Sequence, residues 1–191
     1  MPALDQSIQN ESRHAVFINR FAGGLSNEFD PYLAQLRKEI SFRLNSEDQT
    51  LFNKTRLSIM LREIRDIQKG IYSEYDAQLF EQLELFSEHE IDFELQSLED
   101  VVETDDFTFV KPAPNQVWAA ARSNPLVFPD SNDVVLLEPF VRNWEAKEIK
   151  RVNDIIETGF QIGETNAQIA RRISGKGGSL DKVTRRNNKA I

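Results

Sequence analysis

The sequence predicts a mainly α protein, elongated, made of long helices or helical hairpins with a short Pro-rich irregular segment at 104–139 that has room for a small β-hairpin. Two observations predict it. Apolar residues recur at steps of three or four through most of the chain, the period of one helix face. The helix breakers are confined: no Gly stands from 71 through 158, and five of the seven prolines fall between Pro112 and Pro139. The chain therefore reads as a long helical acidic arm at 1–103, an irregular connector at 104–139 and a basic helical region at 140–191.

In chain order, Ile8, Phe17, Phe21 and Leu25 form a first apolar stripe, interrupted at Gly23-Gly24, and Tyr32, Leu33, Leu36, Ile40 and Leu44 form a second. Ser46 followed by Glu47 and Asp48 reads as an N-cap with acids in the first turn, where the helix dipole favours them. Leu57, Met60, Ile64, Ile67, Ile71, Tyr75, Leu79, Leu83 and Phe86 then make one long stripe. Unbroken from about 47 to 102, it would reach roughly 80 Å at 1.5 Å per residue. That exceeds what a compact domain can bury, so the expectation is a helical hairpin or arm, with a break near Gly70 as the alternative.

Further on, residues 107–110 alternate as a short strand does. Asn115 is placed to cap a short helix through Ala121 anchored by Trp118, while Pro125, Pro129 and residues 130–133 read as turn chemistry. From Glu138 a helix with Val141, Trp144, Ile149, Val152, Ile156 and Phe160 on one face runs toward Gly163, a natural left-handed terminator. Thr165 and Gln168 have capping-box spacing for the next helix, which carries Ile169, Ala170 and Ile173. A Gly-rich loop at 175–178 closes it, and Ser179 is placed to cap a last helix.

Charge divides the chain. Its 31 acids and 23 bases give a net of −8, but residues 1–141 hold 25 acids against 12 bases and residues 142–191 hold 6 against 11. From 70 to 110 there are 13 acids and no base, a solvated acidic face or a surface for a basic partner; from 171 to 191 there are seven bases and one acid. Zero Cys excludes a disulfide framework, a thiolate metal site and a cysteine nucleophile. Apolar runs such as 134–137 fall far short of the roughly 20 residues that span a bilayer. The start, Met-Pro-Ala-Leu-Asp-Gln-Ser, has neither a basic stretch nor an apolar one, so no signal peptide is expected. A soluble protein made in a cytoplasm, or assembled there into something larger, is.

Candidate chemistry is sparse. His14 has no carboxylate at i+4; His89 sits in Ser-Glu-His-Glu with Asp92 three residues on, a pair too small to hold a metal well, so both histidines are expected to be structural or solvent-facing. Asp130, Asn132 and Asp133 lack the Gly and Glu of a calcium loop. The Gly175-Lys-Gly-Gly-Ser179 run follows a helix rather than a buried strand, unlike a phosphate-binding loop. Paired carboxylates abound on polar stretches, and no Gly-x-Ser-x-Gly elbow exists. The expectation is a non-enzyme with no metal and no cofactor.

Two resemblances attach to the C-terminal residues. Thr165-Asn-Ala-Gln-Ile-Ala-Arg-Arg-Ile173, a Gly turn and a basic segment with Arg185-Arg186 resemble a helix-turn-helix, with Ala170 as the small packing residue, although Ser174 stands where Gly is usual and the turn is long. The stretch from Ile155 to Ile173 is also similar to a segment of tailed-phage head morphogenesis (minor head) proteins of the phage Mu F-like family. There a helix ends in Gly-x-x-x-Gly and a capped helix with Ile-Ala and a basic pair follows; Gly159, Gly163, Thr165, Ile169, Ala170, Arg171 and Arg172 match. The Arg-Thr-Glu signature that comes next in the family is not present here. This resemblance implies a minor virion protein near the portal, helping head assembly and genome packaging or delivery.

On that reading the partners are a portal or capsid protein and, without sequence preference, genomic DNA, with several copies in one assembly, no membrane span, and the virion as location. Arg171, Arg172, Lys176, Lys182, Arg185, Arg186 and Lys189 would neutralise DNA phosphates. Trp144, Ile64, Ile71 and Leu79 are assigned to partner docking. A sequence-specific DNA-binding regulator and a coiled-coil scaffold or adaptor are the alternatives.

Overall fold

The computed structural model describes residues 3–46, 54–102, 108–127 and 134–174. The chain is mainly helical, as its periodicity requires. The order is α1 (Ala3–Glu28), α2 (Asp30–Asn45), α3 (Lys54–Val101), α4 (Pro114–Ser123), β1 (Leu126–Val127), β2 (Val134–Val135), α5 (Leu137–Gln161) and α6 (Asn166–Ser174). No helix among the described residues is long and apolar enough to cross a membrane. The Cα packing separates two compact units, Met1–Gly24 with Gln78–Pro139 and Leu25–Ala77 with Phe140–Ile191. Neither is a contiguous stretch of sequence.

The second unit holds most of the core. Of 22 buried apolar residues among those described, 19 belong to it. Leu33, Leu36, Ile40 and Leu44 of α2, Met60, Ile64, Ile71 and Tyr72 of α3, Val141, Trp144, Val152 and Ile156 of α5, and Ile169 and Ile173 of α6 are all buried, and α2 packs closely on α6. An aromatic knot sits inside this core: Phe29 lies 4.1 Å from Tyr75 and 5.8 Å from Trp144 between ring centroids, and Tyr72 lies 5.3 Å from Trp144. These tilted and edge-on placements suit ring quadrupoles. Phe29, fully buried, is also the single residue between α1 and α2, and Pro31 stands in the first turn of α2, where a missing N–H costs nothing.

In the first unit α1 runs antiparallel to the C-terminal half of α3. Rings pair in descending order: His14 with Phe93 at 3.7 Å, Phe17 with His89 at 4.2 Å, Phe21 with Phe86 at 4.4 Å. The connector supplies α4, whose Arg122 lies over Trp118 and pairs with Glu138 at 2.8 Å, and an antiparallel two-residue ladder in which Leu126 faces Val135 and Val127 faces Val134.

Several expected element ends move. Helix α1 passes through Gly23-Gly24, and α3 passes through Gly70 without a break. A helical Gly costs about 1 kcal/mol relative to Ala, and burial of Ile71, Tyr72 and Tyr75 just beyond Gly70 outweighs it. Ser46 caps the end of α2, its backbone N–H donating to Leu44 and Phe42 and its hydroxyl to the Arg43 carbonyl, while the first turn expected at Glu47 and Asp48 lies outside the described residues. Residues 108–110 have no strand partner among the described residues and stay irregular. Helix α4 starts two residues earlier than expected, with Ala113 at the cap, Pro114 at the first position and Asn115 already helical.

Candidate functional site

The segment that carries the family resemblance forms a capped corner between α5 and α6. Helix α5 ends in a Schellman arrangement. The Glu164 N–H donates to the Gly159 carbonyl at 2.8 Å, the Gly163 N–H donates to Phe160 at 3.2 Å, and Gly163 takes φ +76°. Only Gly adopts that conformation at no steric cost. Thr165 then opens α6 with the reciprocal bonds of a capping box: its N–H donates to Gln168 Oε1 at 2.8 Å, and the Gln168 N–H reaches back to Thr165 Oγ1 at 3.3 Å.

Two further interactions lock the corner. A Cβ built on Gly159 would lie 2.5 Å from Ile169 Cγ1, so the absent side chain is what lets Ile169 pack against α5. Asn166 donates from Nδ2 to the Leu44 carbonyl at 2.6 Å, satisfying the end of α2.

This corner sets the basic end. Arg171 is exposed in the last turn of α6, while Arg172 pairs with Glu164 at 2.7 Å and so is already engaged within the chain. Lys176, Lys182, Arg185, Arg186 and Lys189 lie outside the described residues, as does the second helix of the helix-turn-helix reading. Ala170 is half-buried in α6.

The docking residues are corrected. Ile64 is 0%, Ile71 5%, Leu79 3% and Trp144 6% exposed, so all four are spent on the chain's own core and offer no face to another subunit. Periodicity identifies a covered stripe without saying what covers it.

A basic groove that the charge pattern of the sequence does not single out lies in the second unit, between α3 and α5. Two adjoining hollows of about 580 and 440 Å³ share Arg65 and Glu157 in their walls. Lys54, Arg62, Arg65 and Lys69 line them from α3, and Arg142 and Lys150 from α5. The signal is present: Lys54, Ser58, Arg62, Arg65 and Lys69 step by three or four. Summing charge over residues 1–141 hides it beneath the acids that follow on the same helix.

Beside the groove, Asp76 of α3 meets Glu145 of α5, with Arg142 alongside. Burial first, and then the charge of Glu145, push the Asp76 carboxyl up to about 8. Burial raises Glu145 as well, opposed by the hydrogen bond from Asp76 and by Arg142. Both carboxyls are thus held above the ordinary carboxylate range, as two acids in contact away from water must be. Burial also holds the Tyr72 phenol well above its ordinary range, so it stays neutral.

No protein-family model, curated protein or solved structure matches the chain.

In the first unit His14 of α1 finds its carboxylate on α3, 76 positions away, with Nε2 2.9 Å from Glu90 Oε2. A search at i+4 does not reach that far. Asn10, Arg13, His14, Phe17, His89 and Phe93 border a hollow of about 370 Å³, four of them with stacked rings. Among the described residues no group of three or more His, Cys, Asp or Glu is placed to hold a metal ion.

Proposed function

We propose that this chain is a structural, non-enzymatic minor virion protein of a tailed phage, associated with the head or portal, which aids head assembly and genome packaging or delivery. In that role it bridges a portal or capsid protein and genomic DNA, in several copies. The similarity of residues 155–191 to the phage Mu F-like family supports the reading.

One observation carries it: charge and apolar exposure separate by compact unit. The first unit has 16 acids and 4 bases, a net of −12, and the second 15 acids and 19 bases, a net of +4. Ten of the thirteen large apolar residues that are exposed among those described also belong to the first unit. An acidic surface dotted with apolar side chains suits a protein partner and repels DNA; the basic unit suits phosphates.

The test is made on virions. Mass spectrometry of purified particles is expected to find the protein at several copies, and deletion of its gene is expected to leave heads that package or deliver DNA poorly. Its absence from particles, or normal heads after deletion, rejects the proposal. The regulator alternative predicts a preference of about 10³-fold or more for one DNA sequence, whereas equal, strongly salt-dependent binding to all duplexes fits the virion reading.

A further inference from the structure

We infer that the α3–α5 groove is a track for the phosphate backbone of DNA, a second binding surface built into the folded part of the chain and separate from the basic C-terminal residues. The inference rests on the DNA-binding half of the proposed function. Lys54, Arg62, Arg65 and Lys69 fall within an arc of about 80° on α3 and span roughly 22 Å along its axis. All four are exposed, and none has an ion-pair partner among the described residues.

The opposing acids are largely occupied. Asp154 holds Lys150 at 2.6 Å, Glu145 meets Asp76 with Arg142 alongside, and Glu157 adds a weaker pull on Lys150. Asn153, 8% exposed, lines the groove with its Oδ1 unbonded among the described residues, a polar position suited to a bridging water of a hydrated backbone. A row of unpaired cations over this length, outnumbering the acids of the walls, matches a repeating anion better than a single small one. An acidic protein surface is the competing occupant and appears as an outcome of the test.

The experiment measures affinity of the full chain for a random-sequence duplex between 50 and 300 mM NaCl, by fluorescence anisotropy. Three variants are compared with the parent: a groove variant (K54Q, R62Q, R65Q, K69Q), a conservative one (R62K, R65K, K69R), and a tail variant (K176Q, K182Q, R185Q, R186Q, K189Q). Circular dichroism and melting confirm the fold of each.

The groove variant is expected to lower the slope of log affinity against log salt by about 3 to 4, close to 0.9 for each phosphate that is no longer neutralised. The conservative variant keeps the parent slope. The tail variant gives up its own share and still binds. A groove variant that binds as the parent does overturns the inference whatever the tail does. A tail variant equal to the parent, with the groove variant impaired, removes the tail from the proposed function and leaves the groove standing. A groove variant that alters the sedimentation of the free protein but not its DNA binding assigns the surface to the acidic unit of a second copy and overturns the inference. A parent chain that ignores DNA at 50 mM NaCl overturns it too, while the virion experiment still decides the protein-docking half.

Discussion

At position 159 a methyl group has nowhere to go. The built Cβ meets Ile169 at 2.5 and 2.9 Å and Glu164 Oε2 at 2.8 Å. Gly159→Ala must therefore push α6 away from α5, at the cost of about 1 to 3 kcal/mol typical of overpacking. A melt should show a Tm several degrees lower. Asp76 acts through its proton instead. Its folded value, about 8, lies above the ordinary 3.8, so the native state binds more protons than the unfolded chain between those limits. The associated stability is fully present at the low end of that window and is lost as pH rises through the folded value. The parent Tm is expected to fall from pH 5 to pH 8, and Asp76→Asn to flatten that fall. A parent whose Tm climbs steadily over the same range contradicts this assignment.

Among the helices, α3 shows what sequence can and cannot reveal. Gly70 sits exposed in its interior with nothing within 4 Å of a built Cβ. Gly70→Ala is thus expected to stabilise by about 0.5 to 1 kcal/mol, read as a higher Tm, the opposite sign from the change at Gly159. The sequence shows both glycines equally; only packing tells them apart. The α5–α6 corner is legible down to its caps, because Gly163, Thr165 and Gln168 act through bonds to residues within five positions. Ser46 is ambiguous in sequence because a hydroxyl near a helix end serves either terminus, and its real partner is the preceding Arg43 carbonyl. His14 with Glu90 and the α3–α5 groove depend on packing across the fold. The bases of the groove are visible as a stripe, but their position opposite Arg142 and Lys150 is not.

For the molecule as a whole, the uneven core has a dynamic meaning. Among the described residues, the first unit contains three of the 22 buried apolar ones, Leu79, Ile91 and Leu137. Opening free energy follows buried apolar packing. In hydrogen exchange, amides of 78–101 should therefore exchange well before those of 54–77, although both belong to one unbroken helix. Uniform protection along α3 would show that the two halves open together.

That helix also places its charges against its own backbone. Lys54 and Arg56 stand in its first turn and Glu99 and Asp100 in its last, with no acid in the first turn and no base in the last. The side chains add to the macrodipole at both ends instead of offsetting it. Each such end costs a few tenths of a kcal/mol to about 1 kcal/mol at low ionic strength. Dissolved salt screens this conflict along with the self-repulsion of the acidic unit. Ionic strength should then pull in two directions, making the free chain harder to melt while loosening any grip on DNA. A protein so arranged is softest in dilute buffer, where its hold on a polyanion would be strongest.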